Sequence, residues 1–308
     1  MNRLFTLMVT AIVAGALWSA SALAGVLVVD DDGTFNATTD DCNGSVASYT
    51  VIQTAINAAL AGDTIIVCSG IYAEQLSITK NDLTLVGDGT GLTIIKPGSV
   101  SANSTSLFSG APIAAIILVD GALGVTLSEF TVDGSDAAFD VCAPGYMGIF
   151  YRASSGTISG THVTSVLQPN APSCQAVLGI FVQSGNGGPE LNSKVTITGN
   201  EVDHYGKNGI TANEAGTSVT VTDNIVTGRG PVDQGDAAQN GIQIGFGARG
   251  LVSDNTVTAH DYTPDSWQAC GVLFYAGGGG LGRTKTNNYS NNEVDLCTTG
   301  AGAPDFDG

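Results

Sequence analysis

The stretch Val195-Thr-Ile-Thr-Gly-Asn-Glu-Val202 is followed by a near copy, Val219-Thr-Val-Thr-Asp-Asn-Ile-Val226. Each copy alternates apolar with small polar residues and ends on a valine, which is typical of a short strand with one buried face. Weaker copies occur at Val125–Val132, Thr157–Val163, Leu251–Val257 and Tyr289–Val294. This recurrence predicts a structure built from stacked repeats.

A second motif, a glycine followed by isoleucine or valine, recurs between these copies. Its spacings are 31, 30, 32 and 30 residues, with the glycines at Gly148, Gly179, Gly209, Gly241 and Gly271. So regular a period predicts a solenoid in which each period is one coil and equivalent positions stack on neighbouring coils. One offset in the valine copies holds an amide side chain, so we expect an internal ladder formed by Asn200, Asn224, Asn255 and Asn292.

The composition narrows the fold class further. Glycine accounts for 42 of the 308 residues, and charged residues make up only 12% of the chain. A chain so poor in the residues that form surface helices excludes a helical bundle and disfavours a doubly wound α/β fold. The formal charge of −18 makes nucleic acid and anionic membranes poor partners.

Residues 1–24 have the features of a removable export signal. Arg3 precedes an apolar run from Leu4 to Trp18, and Ala22-Leu23-Ala24 forms a small-residue cleavage site. No later stretch is apolar enough for a transmembrane segment. We therefore predict a secreted or periplasmic protein whose working domain comprises residues 25–308. Its six cysteines, an even number in an exported chain, predict three disulfides.

The start of this domain contains one convincing helix pattern. Apolar residues recur at helical spacing from Val51 to Leu60, where Thr50 can cap the beginning and Gly62 can end the helix. The whole segment 49–74, YTVIQTAINAALAGDTIIVCSGIYAE, resembles the opening of right-handed parallel β-helix proteins of the pectin-lyase-like superfamily. In that group an amphipathic helix caps the first coil, and a Gly-Asp-Thr-Ile strand follows.

This resemblance implies an all-β fold, a single-stranded right-handed parallel β-helix with an N-terminal amphipathic capping helix. The cap falls within residues 42–68, and the regular coils run from about 76 to 297. The scaffold carries lyases, hydrolases, esterases, epimerases and proteins without known catalysis, so the resemblance concerns the fold more than the function.

One loop per coil joins the valine copy to the glycine motif, and all five loops emerge on the same side. Four of these loops have 13 to 15 residues, but the loop at Asp203–Asn208 has only six. A short loop between long neighbours predicts a notch in the loop wall, and loops on a rigid scaffold are common places for sites. The residues of this loop and of the two loops that follow are therefore the candidate site residues.

The candidate catalytic residues are basic or titrate near neutrality: His204, Lys207, Arg229 and His260. In β-helix lyases basic residues steady a uronate carboxylate or take a proton from a sugar carbon. Candidate sugar-binding residues are Tyr205, Asn208, Tyr262 and Trp267, and candidate Ca²⁺ ligands are Asp233, Asp236 and Asp261. Each set also has a structural alternative: the cations and acids can simply pair with each other, and the rings can cover the strands beneath.

The cysteines suggest their own pairing within this scheme. Cys142 and Cys174 occupy matching positions on adjacent coils, and Cys270 and Cys297 lie on the same side of the next pair. Cys42 and Cys68 flank the cap helix. We therefore predict the disulfides 42–68, 142–174 and 270–297.

Two functions remain open at this stage. The first is an enzyme on extracellular polysaccharide, most simply a lyase or epimerase of uronate-containing glycans, with a glycoside hydrolase using two loop carboxylates as a variant. The motifs expected of pectate lyases, polygalacturonases and pectinesterases are absent. The second is a non-catalytic carbohydrate-binding or adhesion solenoid. In either case we expect a monomer with a polysaccharide partner and no required cofactor, Ca²⁺ being the one optional ion.

Overall fold

The structure, a computed structural model, describes residues 24–31, 49–137, 141–185, 192–263, 267–280 and 286–299. Most of the predicted export signal and Cys42 lie outside these residues. The described residues contain no helix that is long and apolar enough to cross a membrane.

The fold consists of three parallel sheets, with strands numbered here in chain order. The first sheet contains β1 (Val26–Val29), β2 (Thr64–Val67), β5 (Thr84–Gly87), β9 (Val125–Ser128), β12 (Ser155–Ser159), β15 (Ser193–Thr198), β18 (Thr217–Thr222), β22 (Arg249–Ser253) and β26 (Gly279–Gly280). The second contains β3 (Gly70–Tyr72), β6 (Thr93–Ile95), β10 (Thr131–Asp133), β13 (His162–Thr164), β16 (Glu201–Asp203), β19 (Ile225–Thr227), β23 (Thr256–Thr258) and β27 (Asn288–Ser290). The third contains β4 (Leu76–Ile78), β8 (Pro112–Asp120), β11 (Gly145–Arg152), β14 (Val177–Gln183), β17 (Asn208–Asn213), β21 (Asn240–Gly245), β25 (Cys270–Tyr275) and β28 (Val294–Thr299).

Each coil contributes one strand to each sheet in turn, and each strand pairs with its equivalent on the next coil. The chain is therefore a right-handed parallel β-helix, as the repeats and the resemblance predicted. Apolar side chains from all three sheets fill the interior, where the valines at the ends of the copies, such as Val202, Val226 and Val257, are fully buried. Two short pairs lie outside the three sheets: β7 (Ser104–Thr105) is antiparallel to β8, and β20 (Val232–Asp233) is parallel to β24 (Tyr262–Thr263).

The helix α1 (Ile52–Ala58) lies beside the first coil, and Ile52, Ala55 and Ile56 are its buried residues. Its N-cap is Val51, which has no side-chain cap bond, so the expectation that Thr50 caps the helix was wrong. The carboxylate of Glu74 instead accepts hydrogen bonds from the backbone N–H groups of Ile52 at 2.7 Å and Gln53 at 2.9 Å. An acceptor from the adjacent coil thus satisfies the free donors of the first turn.

Each valine copy forms two strands joined by a corner, rather than the single predicted strand. In the copy at 195–202, β15 ends at Thr198 and β16 begins at Glu201, so Asn200 lies in the corner between the first and second sheets. The Nδ2 group of Asn200 donates to Oδ1 of Asn224, and that of Asn224 donates to Oδ1 of Asn255, each at 2.9 Å. The predicted amide ladder is therefore present at this corner.

The last member of the ladder is Asn287 and not Asn292. Asn255 donates to Oδ1 of Asn287 at 2.9 Å, and Tyr289 pairs with Val257, so Tyr289 occupies the valine position of the final coil. The sequence alignment placed this copy five residues too late because the final coil has a tyrosine where the others have a valine. Asn292 is released for another contact, which is described below.

The repeated glycines lie opposite one another on neighbouring strands of the third sheet. The register is the same on both sides of Gly148, because Met147 pairs with Leu178 and Ile149 with Ile180, so Gly148 lies level with Gly179. A Cβ atom on Gly148 would lie 2.6 Å from the carbonyl oxygen of Gly179, and one on Gly179 would lie 2.6 Å from that of Gly209. Only glycine fits, because the carbonyl group of the next coil occupies the space of a side chain.

An arm formed by residues 101–111 lies across the third sheet. Arg152 Nε donates to the carbonyl oxygen of Thr105 at 2.9 Å, and Gln183 Oε1 accepts from the backbone N–H of Leu107 at 2.9 Å. The ring of Phe108 lies 6.3 Å from the ring of Phe246, which follows β21. The arm thus contacts coils that lie far apart in sequence, and no repeat pattern predicts it.

Two of the three predicted disulfides fall within the described residues and are present. Cys142 bonds to Cys174 with a Cα–Cα distance of 5.1 Å, and Cys270 bonds to Cys297 at 6.0 Å. Both join neighbouring coils. The bridge 42–68 stays a prediction, because Cys42 lies outside the described residues.

Candidate functional site

The outer face of the third sheet changes character along the solenoid. Two outward-facing positions of each strand stack from coil to coil into a first and a second column. In β11 and β14 the first column holds Met147 and Leu178, and the second holds Phe150 and Phe181. These four side chains pack into one apolar cluster. In the next two coils, at β17 and β21, the first column holds Asn208 and Asn240, and the second holds Thr211 and Gln243. In β25 the second column is apolar again, because Leu273 pairs with Gln243 of the preceding coil. The polar patch is confined to the coils of β17 and β21.

The polar side chains of this patch bond to one another. Asn208 Nδ2 donates to Thr211 Oγ1 and to Gln243 Oε1, both at 3.1 Å, and its Oδ1 accepts from Asn240 Nδ2 at 2.9 Å. Gln243 Nε2 donates to Asn213 Oδ1 at 3.1 Å, which uses one of its two N–H groups. The network fixes the orientation of each amide, so the patch presents a preorganised set of donors and acceptors.

This patch is the floor of a groove of about 980 Å³. The predicted short loop precedes β17, and its long neighbours contact each other beyond it, since the N–H of Ala237 donates to the carbonyl oxygen of Pro172 at 2.9 Å. The groove is bounded at the start of the strands by Tyr262 and Trp267, and at their end by Phe246 and Tyr275. Trp267 is 71% exposed, whereas Tyr262 is 4% exposed.

Lys207 is the basic residue that lines this groove. Its backbone N–H donates to Val177 O at 2.8 Å and its carbonyl accepts from Asn240 N at 3.0 Å, so both neighbouring coils hold it in place. Its Nζ donates to the carbonyl oxygen of Ala238, and no described carboxylate pairs with it. Burial lowers the pKa of the Lys207 amine to about 8. The neutral form of this amine is therefore more accessible near neutral pH than that of a solvated lysine.

Arg229 supports the wall of the groove and does not line it. Its Nη2 lies 3.1 Å from Oδ1 of Asp236, and its Nε donates to the carbonyl oxygen of Tyr205 at 3.2 Å. Asp236 does line the groove, with its charge already paired to Arg229. The other two predicted calcium ligands, Asp233 and Asp261, form no group of clustered metal-binding side chains among the described residues.

His260 and Tyr205 lie inside the solenoid, although the sequence suggested exposed loop residues. Both are 0% exposed, and the Tyr205 hydroxyl bonds to His260 Nε2. His260 Nδ1 lies 2.9 Å from Oδ1 of Asn292. Because an amide oxygen only accepts, Nδ1 carries the proton and Nε2 accepts from the tyrosine. Burial lowers the pKa of His260 to about 4, so the imidazole is neutral at physiological pH.

This buried histidine predicts a loss of stability in mild acid. Between pH 6.5 and about 4 the unfolded chain binds a proton at His260 that the folded chain does not, so the free energy of unfolding falls as the pH falls. The full difference in pKa corresponds to about 3 kcal/mol. Urea unfolding of the wild type, His260→Gln and the exposed control His204→Gln at pH 7, 5.5 and 4.5 measures the effect. We expect a flatter pH dependence only in His260→Gln, and equal slopes in all three proteins would contradict the assignment.

His204 lies apart from the groove. Its side chain is 65% exposed, and its Nδ1 lies 2.9 Å from Oδ1 of Asp203. The four predicted catalytic residues therefore do not share one cleft: Lys207 lines the groove, Arg229 lies in its wall, His260 lies in the core and His204 is at the surface. The tight corner after β16 separates His204 from Lys207, because successive residues of the short loop face different sides of the coil.

Five of the predicted site residues line the groove: Lys207, Asn208, Asp236, Tyr262 and Trp267. Thr211, Asn213, Asn240 and Gln243 also line the groove and were not predicted. A signal was available for three of them, because Thr211, Asn240 and Gln243 occupy offsets from the repeated glycines at which the preceding coils have apolar residues. Asn213 gave no such signal, since its offset holds Arg152 and Gln183 in those coils.

Comparison with known proteins gives a likeness of fold. No protein-family model matches the chain. A stretch of 111 residues is 32% identical to a probable pectinesterase/pectinesterase inhibitor 17 of Arabidopsis thaliana, and it covers 35% of the chain and 21% of the relative. The chain thus matches about a fifth of the length of that relative.

Three solved structures illustrate the likeness. Pectate lyase Pel9A is 12% identical with a TM-score of 0.48, over 92% of this chain and 79% of that one. Pectin methylesterase PemA from Erwinia chrysanthemi is 12% identical with a TM-score of 0.40, over 93% and 92%. The A-module of the mannuronan C-5 epimerase AlgE4 of Azotobacter vinelandii is 13% identical with a TM-score of 0.36, over 82% and 94%. At such low identity the likeness concerns the fold and not the activity.

Proposed function

We propose that the groove binds a uronate-containing polysaccharide and that Lys207 removes the C5 proton of a bound uronate, as in a lyase or an epimerase. The observation that carries this proposal is the Lys207 amine, which lines the groove, has no carboxylate partner among the described residues and has a pKa lowered to about 8. A general base acts best when its pKa lies near the working pH. An ordinary surface lysine does not meet this condition.

The rest of the groove suits a sugar chain. Exposed aromatic rings such as Trp267 offer apolar faces on which pyranose rings can stack, and the amides of Asn208, Asn240 and Gln243 can bond to hydroxyl or carboxylate oxygens. The Arabidopsis relative is a probable pectinesterase/pectinesterase inhibitor, and pectin is a uronate-containing polysaccharide. An extended chain fits an open groove better than a closed pocket.

In the proposed reaction the C5 proton moves to the neutral Nζ of Lys207, and the electron pair passes into the adjacent carboxylate. The second N–H group of Gln243 Nε2 is free to donate to that developing charge. Departure of the O4 substituent, whose oxygen takes a proton from water, then gives an unsaturated uronate. Alternatively, transfer of a proton from water to the opposite face of C5 gives the C5 epimer. In both cases the Lys207 ammonium returns its proton to solvent. We propose that the reaction requires no cofactor and that the protein acts as an exported monomer.

A second function is favoured by a specific observation. His204, Arg229 and His260 are all engaged in other contacts, and Asp236 is paired with Arg229, so among the described residues Lys207 is the one charged side chain of the groove that has no charged partner. In a non-catalytic carbohydrate-binding protein the same amine, protonated, would simply pair with the carboxylate of a uronate. Such a protein would bind the polysaccharide but would not catalyse a reaction on it.

An exchange experiment separates the two functions. The protein is incubated in D₂O with pectate, alginate or glucuronan, with Ca²⁺ and with chelator, and the C5–H signal is followed by proton NMR. Loss of this signal supports proton removal whether elimination or epimerisation follows, and ultraviolet absorbance of unsaturated ends identifies the lyase. Binding by calorimetry without exchange supports the carbohydrate-binding function. Neither binding nor exchange across the panel would overturn both.

A further inference from the structure

A second cluster of chemically active side chains lies on the outer face of the second sheet. In the part of the chain that the structure describes, one group of three metal-binding side chains has all its ligand atoms within 4.8 Å of one another: His162, Glu201 and Asp203. The groove described above is on the third sheet, so this cluster is separate from it and does not depend on the proposed reaction.

The β-helix places these three side chains together by simple register. His162 in β13 pairs directly with Glu201 in the adjacent strand β16. Asp203 is two residues beyond Glu201 and therefore faces the same side of that strand, while Val202 between them points into the core. The three side chains form a triangle on two neighbouring coils, held by the most regular part of the fold.

One distance in this triangle fits a small metal ion. His162 Nε2 lies 3.2 Å from Oδ2 of Asp203. Two atoms bound to one tetrahedral Zn²⁺ at about 2.0 Å each are about 3.3 Å apart, so this pair already has the required separation. Imidazole and carboxylate together favour a first-row transition ion, whereas Ca²⁺ prefers a larger set of oxygen ligands.

Neighbouring groups orient the aspartate for this role. Its other oxygen, Oδ1, accepts from Thr164 Oγ1 and bonds to His204 Nδ1. These contacts leave Oδ2 directed at His162. Hydrogen bonds that orient a ligand in this way are a regular feature of protein metal sites.

We propose that His162, Glu201 and Asp203 bind a Zn²⁺ ion through His162 Nε2, Asp203 Oδ2 and a Glu201 carboxylate oxygen. A fourth, open position remains for water. The competing explanation is a plain ion pair between His162 and Asp203, with Glu201 as a solvated surface acid. The two explanations differ in one measurable respect, since the ion pair has no affinity for zinc.

The test uses untagged protein that has been dialysed against chelator and then titrated with ZnCl₂. We expect calorimetry to show one Zn²⁺ per chain and the ion to raise Tm. His162→Ala and the surface variant Glu201→Gln should each bind Zn²⁺ at least about tenfold more weakly, a loss of the size seen when metal sites are impaired. X-ray absorption at the zinc edge should show nitrogen and oxygen ligands at about 2.0 Å.

Matched controls exclude adventitious binding. Asp233→Asn, which removes an exposed acid that belongs to no metal-binding cluster among the described residues, should bind Zn²⁺ like the wild type, and CaCl₂ should leave Tm unchanged. Absence of zinc binding, or equal zinc affinity in the wild type and in Glu201→Gln, would overturn the proposal. Because Glu201 is exposed, its substitution is not expected to disturb folding, so the test stands even if His162→Ala is unstable.

Discussion

Replacement of Lys207 by methionine is expected to lower the rate of C5 proton exchange by about a thousandfold, the usual contribution of a positioned general base. Methionine matches the length of the buried lysine stem and removes only the amine, so the groove should keep its shape. Binding of a neutral oligosaccharide should therefore change little. Lys194, an exposed lysine on β15, provides the control: Lys194→Met should exchange protons at the wild-type rate.

The pH dependence gives an independent check on this assignment. Because the neutral amine is the base, the wild-type exchange rate should rise with pH and level off above about 8, the pKa of the buried amine. If Lys207→Met retains the wild-type rate, or if the wild-type rate is flat between pH 6 and 9, Lys207 is not the base. Loss of binding together with exchange would instead indicate that the amine acts by pairing with the uronate carboxylate.

Asn224→Ala should lower the free energy of unfolding by about 4 kcal/mol. Asn224 is in the middle of the amide ladder, where its Oδ1 accepts from the backbone N–H of Asn200 at 3.0 Å and from its Nδ2 at 2.9 Å. Its Nδ2 donates to Oδ1 of Asn255 and to the carbonyl oxygen of Ile197, both at 2.9 Å. Alanine removes the acceptor of the Asn200 N–H and the donor to the Ile197 carbonyl oxygen. It also removes one of the bonds of Asn200 Nδ2, which keeps Ile158 O, and one of the bonds of Asn255 Oδ1, which keeps the backbone N–H of residue 224. Each buried group that loses a partner costs about 1–3 kcal/mol.

Urea unfolding followed by circular dichroism measures this effect. The control is Asn57→Ala on the exposed side of α1, which should cost less than about 1 kcal/mol because water replaces the lost contact. A loss in Asn224→Ala no larger than in Asn57→Ala would mean that the ladder contributes specificity of register but little stability.

The fold was predictable because the solenoid repeats each constraint in every coil. One buried valine is weak evidence for a strand, but the same valine and the same glycine at a constant period indicate stacked equivalents. The reason for the glycines was not accessible from sequence, since it lies in the close approach of a carbonyl group from the next coil, as at Gly179 and Gly209. The final coil has Tyr289 in place of the repeated valine, and there the position of the repeat was predicted wrongly.

The position of the groove was predictable, but the orientation of the side chains around it was not. The length of the short loop correctly indicated a groove beside Lys207 and Asn208. It did not indicate which way each side chain of the loop would face, because that depends on corner geometry. Tyr205 therefore lies in the core, two residues before a lysine that lines the groove. Asn240 and Gln243 can be recognised as groove residues only when the outward-facing positions of one coil are compared with the equivalent positions of its neighbours.

The arm at residues 101–111 has a mechanical consequence. A plain solenoid that is pulled from its two ends can peel away one coil at a time, since each coil touches only its neighbours. Here the arm is fastened to Arg152, to Gln183 and, through Phe108, to the turn at Phe246. Force applied to one end must break these contacts of the arm before the coils that they connect can separate. The centre of the molecule therefore resists extension as a single block, with the groove inside it.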